Sequence, residues 1–147
     1  MYIKGTAFIG IDSSNKRWVN SSCFKQHRFK DYPGMRGVSN FYGFGILANI
    51  AVEDQHIKRM QFDGHEFHES LAGSTIYGRG NYGKLFTLIV DVESNQLILK
   101  CKDFISSKMQ TFVVNDIKLK GFKYNLAIAM DTNGSCVKIT DFCKKYR

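Results

Sequence analysis

Proline is scarce in this sequence: its 147 residues include one proline, beside 13 glycines, 12 phenylalanines and seven tyrosines. Disordered and collagen-like chains are rich in proline and glycine, so the composition excludes both classes. Hydrophobic residues make up 44% and charged residues 23%, which is typical of a globular domain. We therefore expect residues 1–147 to form a single domain, and the aromatic content favours β-strands.

Long apolar runs are also missing, because no stretch approaches the roughly 18 residues that a membrane-spanning helix needs. The N-terminal segment, MYIKGTAFIGIDSS, has an apolar patch that is too short and too interrupted by Gly, Lys and Asp for a signal peptide. We therefore expect a cytoplasmic protein, or a domain cut from a larger one, with no membrane span.

Closely paired cysteines are absent as well. The four cysteines, Cys23, Cys101, Cys136 and Cys143, form no C-x-x-C pair, which argues against a zinc site. Without a secretory signal, reduced thiols are expected.

Motifs of catalysis and metal binding are missing too. His65 and His68 are one residue too close for the zinc-binding H-E-x-x-H helix, and on a strand they would point to opposite faces. Neither the E-x-D-x-x-E carboxylates of sandwich glucanases nor a G-x-S-x-G elbow occurs. Residues 77–83, YGRGNYG, have the glycines of a phosphate loop without its G-K-S/T ending. We therefore predict that the protein is not an enzyme and has no catalytic residue, metal or cofactor.

The chain does contain segments typical of β-strands, most clearly residues 84–102, KLFTLIVDVESNQLILKCK. Its first half is apolar on both faces, which predicts a strand packed between two layers. Residues 93–95, Glu-Ser-Asn, favour a tight turn, where Asp91 is expected to bond the turn backbone. The second half alternates like a half-exposed strand. A central hairpin is predicted.

Further strands are predicted before and after this hairpin. Residues 3–11 read as one first strand, and residues 41–48 as an apolar strand whose two glycines indicate a bulge or a close backbone approach. Asn133-Gly134 predicts a hairpin between the last two strands, at residues 124–130 and 135–142. No amphipathic helix is found, so the fold class is all-β, a single antiparallel β-sandwich. Its predicted core comprises Phe86, Leu88, Val90, Leu97, Leu99, Phe112, Leu126 and Ile128.

The order of these segments over residues 40–142 resembles the SPRY (B30.2-like) domain, a bent jelly-roll sandwich similar to concanavalin. The segments that carry the resemblance are YGFGI at 42–46, FTLIVD at 86–91, ESNQLIL at 93–99, TFVV at 111–114, YNLAIA at 124–129 and VKITDF at 137–142. Two positions depart from the family: Lys84 stands where Asp is usual, and Lys102-Asp103 where Asn-Gly is usual. The N-terminal 40 residues have no counterpart in the family.

The resemblance implies a non-catalytic module that binds a protein or peptide through loops at one end of the sandwich. The candidate loops are residues 28–36 and 76–82, with residues 104–109 as a weaker candidate. Tyrosine and arginine are enriched at binding hot spots, so we select the partner-binding residues Tyr32, Arg36, Tyr77, Arg79 and Tyr82.

The net charge of +8 leaves other partners open. It favours an acidic protein surface, a nucleic acid or another anionic surface. Aromatic residues alternate with basic ones from Phe24 to Tyr32, a pattern that could stack bases and neutralise phosphates. Lys118, Lys120 and Lys123 form a second basic group, predicted to lie on a strand. A glycan-binding sandwich is a third hypothesis.

Overall fold

The computed structural model describes residues 1–13, 40–49, 54–62, 67–77, 84–102, 108–121, 123–130 and 136–141. Within these ranges the protein is all-β and contains no helix, hence none long and apolar enough to cross a membrane. The strands are β1 (Tyr2–Lys4), β2 (Ala7–Asp12), β3 (Phe41–Asn49), β4 (Asp54–Phe62), β5 (Phe67–Tyr77), β6 (Lys84–Asp91), β7 (Gln96–Lys102), β8 (Met109–Val114), β9 (Asn125–Met130) and β10 (Cys136–Lys138). The predicted all-β fold class is confirmed.

The ten strands form two five-stranded antiparallel sheets. Sheet A has the order β10-β1-β6-β7-β8, and sheet B has the order β5-β4-β3-β2-β9. One hydrophobic cluster draws buried side chains from both sheets, including Ile9 and Phe44 from sheet B with Phe86 and Leu99 from sheet A. The fold is therefore sandwich-like, with one core shared by the two sheets.

The chain changes sheets between its first two strands and again between its last two. Gly5 separates β1 from β2 with φ of 80°, a left-handed conformation that suits glycine. The chain thus passes from sheet A to sheet B where one continuous strand over residues 3–11 was predicted. β1 pairs with β10 and β2 pairs with β9, so the predicted Asn133-Gly134 hairpin is wrong: β9 and β10 lie in different sheets. A turn signal is local and carries no information about which sheet each arm joins.

The central hairpin is confirmed in its pairing and its turn. β6 pairs with β7 from Phe86 opposite Cys101 to Asp91 opposite Gln96. Asn95 takes the left-handed conformation, with φ of 52°. The carboxylate of Asp91 accepts a hydrogen bond of 3.2 Å from the Ser94 amide, so this side chain closes the turn as predicted.

Burial on both faces occurs in a different strand from the one predicted. All six residues of β2 are buried, whereas β6 alternates between buried and exposed residues over its first half. Phe8, Phe41 and Met60 are fully buried although strand alternation places them on the face of sheet B that is turned away from the shared core. The strands buried on both faces are therefore β2 and its neighbour β3, which is the middle strand of sheet B: β2 throughout and β3 over residues 41–46.

Two of the predicted core residues are exposed: Val90 at 43% and Leu126 at 47%. Val90 lies beyond the part of β6 that β1 covers, since Met1 is already bonded to Phe86. Leu126 is on β9, which is an edge strand. Among the other predicted core residues, Leu88 and Ile128 are half-buried; those that are fully buried are Phe86, Leu97, Leu99 and Phe112.

The strand glycines are explained by close approach, as predicted. β3 keeps an unbroken register with both neighbours, so it contains no bulge. A Cβ on Gly43 would lie 2.4 Å from the Ile9 carbonyl oxygen and 2.7 Å from the Phe41 ring. A Cβ on Gly45 would lie 3.0 Å from the Phe8 ring. The aromatic rings fill the space above these glycines.

Candidate partner-binding face

Sheet A turns one face to the shared core and the other to solvent. Phe86, Leu97, Leu99 and Phe112 point inward, so the residues that alternate with them point outward. We call these outward side chains of sheet A the open face. Directly opposed residues of an antiparallel strand pair lie on the same face of the sheet. The residues of the open face therefore form rows that run across the strands.

The principal row of the open face crosses all five strands. Lys138 is opposite Tyr2, and Tyr2 is opposite Leu85. The register of β6 and β7 continues the row to Lys102, which is opposite Met109. Leu85 is 65% exposed and Met109 61%, the two highest values among the large hydrophobic side chains described. Such exposed apolar side chains with polar neighbours are typical of interaction sites.

Two further rows lie beside the principal row. The next row joins Thr87, Lys100 and Thr111, and the third joins Ile89, Ile98 and Val113, all three half-buried. Strands are about 4.8 Å apart and alternate residues about 6.8 Å apart, so the principal row is roughly 19 Å long and the two shorter rows roughly 10 Å, and the three rows together are roughly 14 Å wide.

The charges on the open face are almost all positive. Lys100, Lys102 and Lys138 belong to the rows, and Lys4 lies one step beyond Tyr2 on β1. Among the described outward residues of sheet A, Asp91 is the one carboxylate, and it lies at the far end, where it bonds the hairpin turn. The potential of this face is therefore positive around Leu85.

Two side chains of sheet B partly cover the β8 edge of sheet A. Arg59 donates a hydrogen bond of 2.8 Å from Nε to the carbonyl of Val113, and Gln61 donates one of 3.2 Å to the carbonyl of Asn115. An added strand would have to displace both contacts to pair along β8. Covering an edge in this way protects it from pairing with other chains.

The segment from Asn115 to Tyr124 passes from sheet A to sheet B. Its Ile117 and Leu119 are buried in the shared core, while Lys118, Lys120 and Lys123 are exposed. Its described residues form no strand, and Asp116 has φ of 57°, so the predicted basic strand is instead an irregular crossover. Exposure of its three lysines gives the protein a second basic surface, which we call the crossover lysines.

A buried polar contact joins the two sheets near Gly5. Lys84 of β6 is 3% exposed and donates a hydrogen bond of 2.9 Å from Nζ to Oε1 of Gln55 on β4. Gln55 in turn donates 2.9 Å to the carbonyl of Gly5. This contact lies inside the fold and supports the sheet-switching turn, so we assign it a structural role.

Most of the residues selected from sequence lie outside the described part of the chain: Tyr32, Arg36, Arg79 and Tyr82. Tyr77 was placed in a loop, but its backbone forms the last residue of β5, opposite Asp54. The weaker candidate loop, residues 104–109, reaches the described chain only at Lys108 and Met109, both exposed. The loop site therefore remains a prediction.

Sequence reasoning missed Leu85, Lys102, Met109 and Lys138. One signal was present: Lys100 and Lys102 flank Cys101, an alternation that marks one face of β7 as solvated. Leu85 could not be found in this way, because it begins a largely apolar run, LFTLIV at 85–90, in which no alternation separates the two faces. Only the pairing of β6 with β1 and β7 shows that it belongs to a lysine-lined row.

No group of three or more His, Cys, Asp or Glu side chains with metal-binding geometry occurs in the described residues. Comparison of the chain with protein-family models, with curated proteins and with solved structures finds no match.

Proposed function

We propose that the protein is a non-enzymatic module that binds a segment of another protein on the open face. The observation that carries the proposal is the principal row, in which Leu85 and Met109 are more than half exposed at the centre and the edge of a regular sheet. Burying such a side chain under a partner removes apolar surface from water, the main driving force of association.

The size of the open face favours a peptide over a folded domain. A standard protein–protein interface buries about 800 Å² on each partner. By the strand spacings given above, the three rows cover less than roughly a third of that area. An extended segment of six to eight residues spans about 20–27 Å and matches the length of the principal row, roughly 19 Å.

Binding of nucleic acid is the competing function, supported by the crossover lysines and the overall charge of +8. The described crossover offers Tyr124 as its one aromatic ring, and that ring packs against Tyr42 instead of facing outward. Stacking on exposed aromatic rings is the usual companion of phosphate contacts in single-strand binding. Within the described residues, the peptide function is therefore the better supported of the two.

The test selects binding peptides from a random phage-displayed library, with the whole protein immobilised as bait. Affinities of the selected peptides are then measured for the protein and for Leu85→Thr, which keeps a β-favouring residue at this position. We expect Leu85→Thr to weaken binding about tenfold, the effect of roughly 1.4 kcal/mol of lost apolar burial.

Val92→Thr is the matched control. Val92 is 55% exposed but belongs to the hairpin turn, outside the three rows. Its substitution should leave affinity unchanged. Equal affinities of the protein and Leu85→Thr for every selected peptide would disprove binding on the open face.

A further inference from the structure

We infer that the open face recognises an acidic, extended peptide in which acidic and apolar residues alternate with a fixed spacing. This inference rests on the proposed function and specifies the chemistry of its ligand. It comes from the order of side chains along the principal row: Lys138, Tyr2, Leu85, Lys102 and Met109.

The spacing of this row matches the repeat of an extended peptide laid across the strands. Lys138 and Lys102 are three strands apart, which is about 14 Å at 4.8 Å per strand. Residues i and i+4 of an extended chain are about 13–14 Å apart and lie on one side of it. Two acidic residues four apart can therefore meet the two lysines.

The apolar positions follow from the same arithmetic. Residue i+2 falls between the two acidic residues, above Tyr2 and Leu85. Residue i+6 reaches about 20 Å from the first, close to Met109 at roughly 19 Å. The pattern is acidic-x-apolar-x-acidic-x-apolar, and the alternate side chains point away from the sheet.

Charge decides between an acidic and a basic ligand. The row itself contains Lys102 and Lys138, and Lys4 and Lys100 lie beside it, while the carboxylate of Asp91 lies at the hairpin end. Like charges facing one another would oppose association, and opposite charges favour it and fix the register. The bonds from Arg59 and Gln61 to the β8 edge favour docking on the face over addition of a strand to that edge.

The probe is the synthetic peptide Glu-Ser-Leu-Ser-Glu-Ser-Leu-Ser, with blocked ends, titrated into the whole protein and followed by NMR shifts and calorimetry. The first control has the same composition in the order Glu-Glu-Leu-Leu-Ser-Ser-Ser-Ser. The second control replaces both Glu by Lys. We expect the probe to bind more tightly than either control, with shifts at Leu85 and Met109.

Two double variants distinguish an effect of the open face on binding from an effect of the net charge. Lys102→Gln with Lys138→Gln removes the two lysines of the row, and Lys118→Gln with Lys120→Gln removes two of the crossover lysines. All four lysines are exposed, and each double variant lowers the charge by two. An exposed ion pair contributes up to about fivefold to affinity, so the loss of two pairs in the first double variant should weaken binding about tenfold. The second double variant should weaken binding less than about twofold. Circular dichroism checks that both remain folded.

Several results would overturn the inference. One is equal binding of the probe and either control peptide, and another is an equal loss of affinity in the two double variants. A third is that phosphatidylserine vesicles or single-stranded DNA bind more tightly than the probe peptide, and that this binding is lost in the double variant without Lys102 and Lys138. The ligand would then be a lipid surface or a nucleic acid. If displayed peptides need Leu85 but are not acidic, the proposed function stands and this inference fails. If none needs Leu85, both fail.

Discussion

Tyr42 and Tyr124 meet edge to face, with ring centroids 6.1 Å apart and an angle of 60° between the rings. Both hydroxyls bond the backbone of the crossover: the Lys118 amide donates to Tyr42 at 3.2 Å, and Tyr124 donates to the Lys118 carbonyl. This pair of rings holds the crossover against sheet B, and its chemistry gives a pH prediction.

Stability should fall in alkaline solution because of Tyr124. Burial of its phenol, together with the neighbouring Tyr42, raises the pKa of Tyr124 above its ordinary value. The folded state therefore binds this proton more tightly than the unfolded state does. The resulting stability is fully present below about pH 10 and is lost as the pH rises further, by up to about 1.4 kcal/mol per pH unit.

The measurement is urea unfolding between pH 8 and pH 11 for the protein and for Tyr124→Phe. The variant lacks the group with the raised pKa, so its unfolding free energy should fall less steeply above pH 10. Parallel curves for the two proteins would contradict the assignment. A loss of stability at pH 8 is also expected, because the bond to the Lys118 carbonyl is removed.

Gly43→Ala should destabilise the fold by about 1–3 kcal/mol or more, since the new methyl group would overlap the Ile9 carbonyl and the Phe41 ring. Thermal and urea unfolding measure the loss. Gly121→Asn is the control: nothing lies within 4 Å of a Cβ at Gly121, and Asn tolerates its φ of +83°. A smaller effect for Gly43→Ala than for Gly121→Asn would refute the steric explanation.

Leu97 and Val90 are directly opposite each other on β7 and β6, but their exposure differs, 0% against 43%. Leu97→Ala should cost about 2–5 kcal/mol of unfolding free energy, because it leaves a cavity in the shared core. Val90→Ala should cost under about 1 kcal/mol, as is usual for an exposed side chain. Equilibrium unfolding in urea compares them, and similar losses would show that Val90 is packed after all.

The loop prediction has its own test, with peptides selected by display as the ligand. If residues 76–82 anchor a partner, Tyr77→Ala and Arg79→Ala should each weaken binding by about 1–3 kcal/mol with little change in melting temperature. Leu85→Thr should then have no effect on those peptides. Unchanged affinity, or unfolding of the two alanine variants, would remove this loop as a binding site.

Local chemistry made the central hairpin predictable from sequence. The turn at residues 93–95 and the capping role of Asp91 depend on neighbours within a few positions, and both are confirmed. The Asn133-Gly134 hairpin was wrong because the sheet that a strand joins is decided by partners over 100 residues away. Likewise, an apolar run indicates burial but cannot show whether it occurs in β2 or β6. The open face requires the register of five strands, which no local pattern supplies.

The pairing of β2 with β9 and of β1 with β10 also sets the order in which the molecule can assemble. Ala7 is opposite Met130, and Ile3 is opposite Val137. On a ribosome, β3 can pair with one edge of β2 early, but the other edge stays unpaired until residues 125–130 emerge. Pairings this distant give a high contact order, for which folding takes milliseconds to seconds. Until then β2, apolar on both faces, is an exposed template for aggregation, so yield in cells should depend on chaperones and growth temperature.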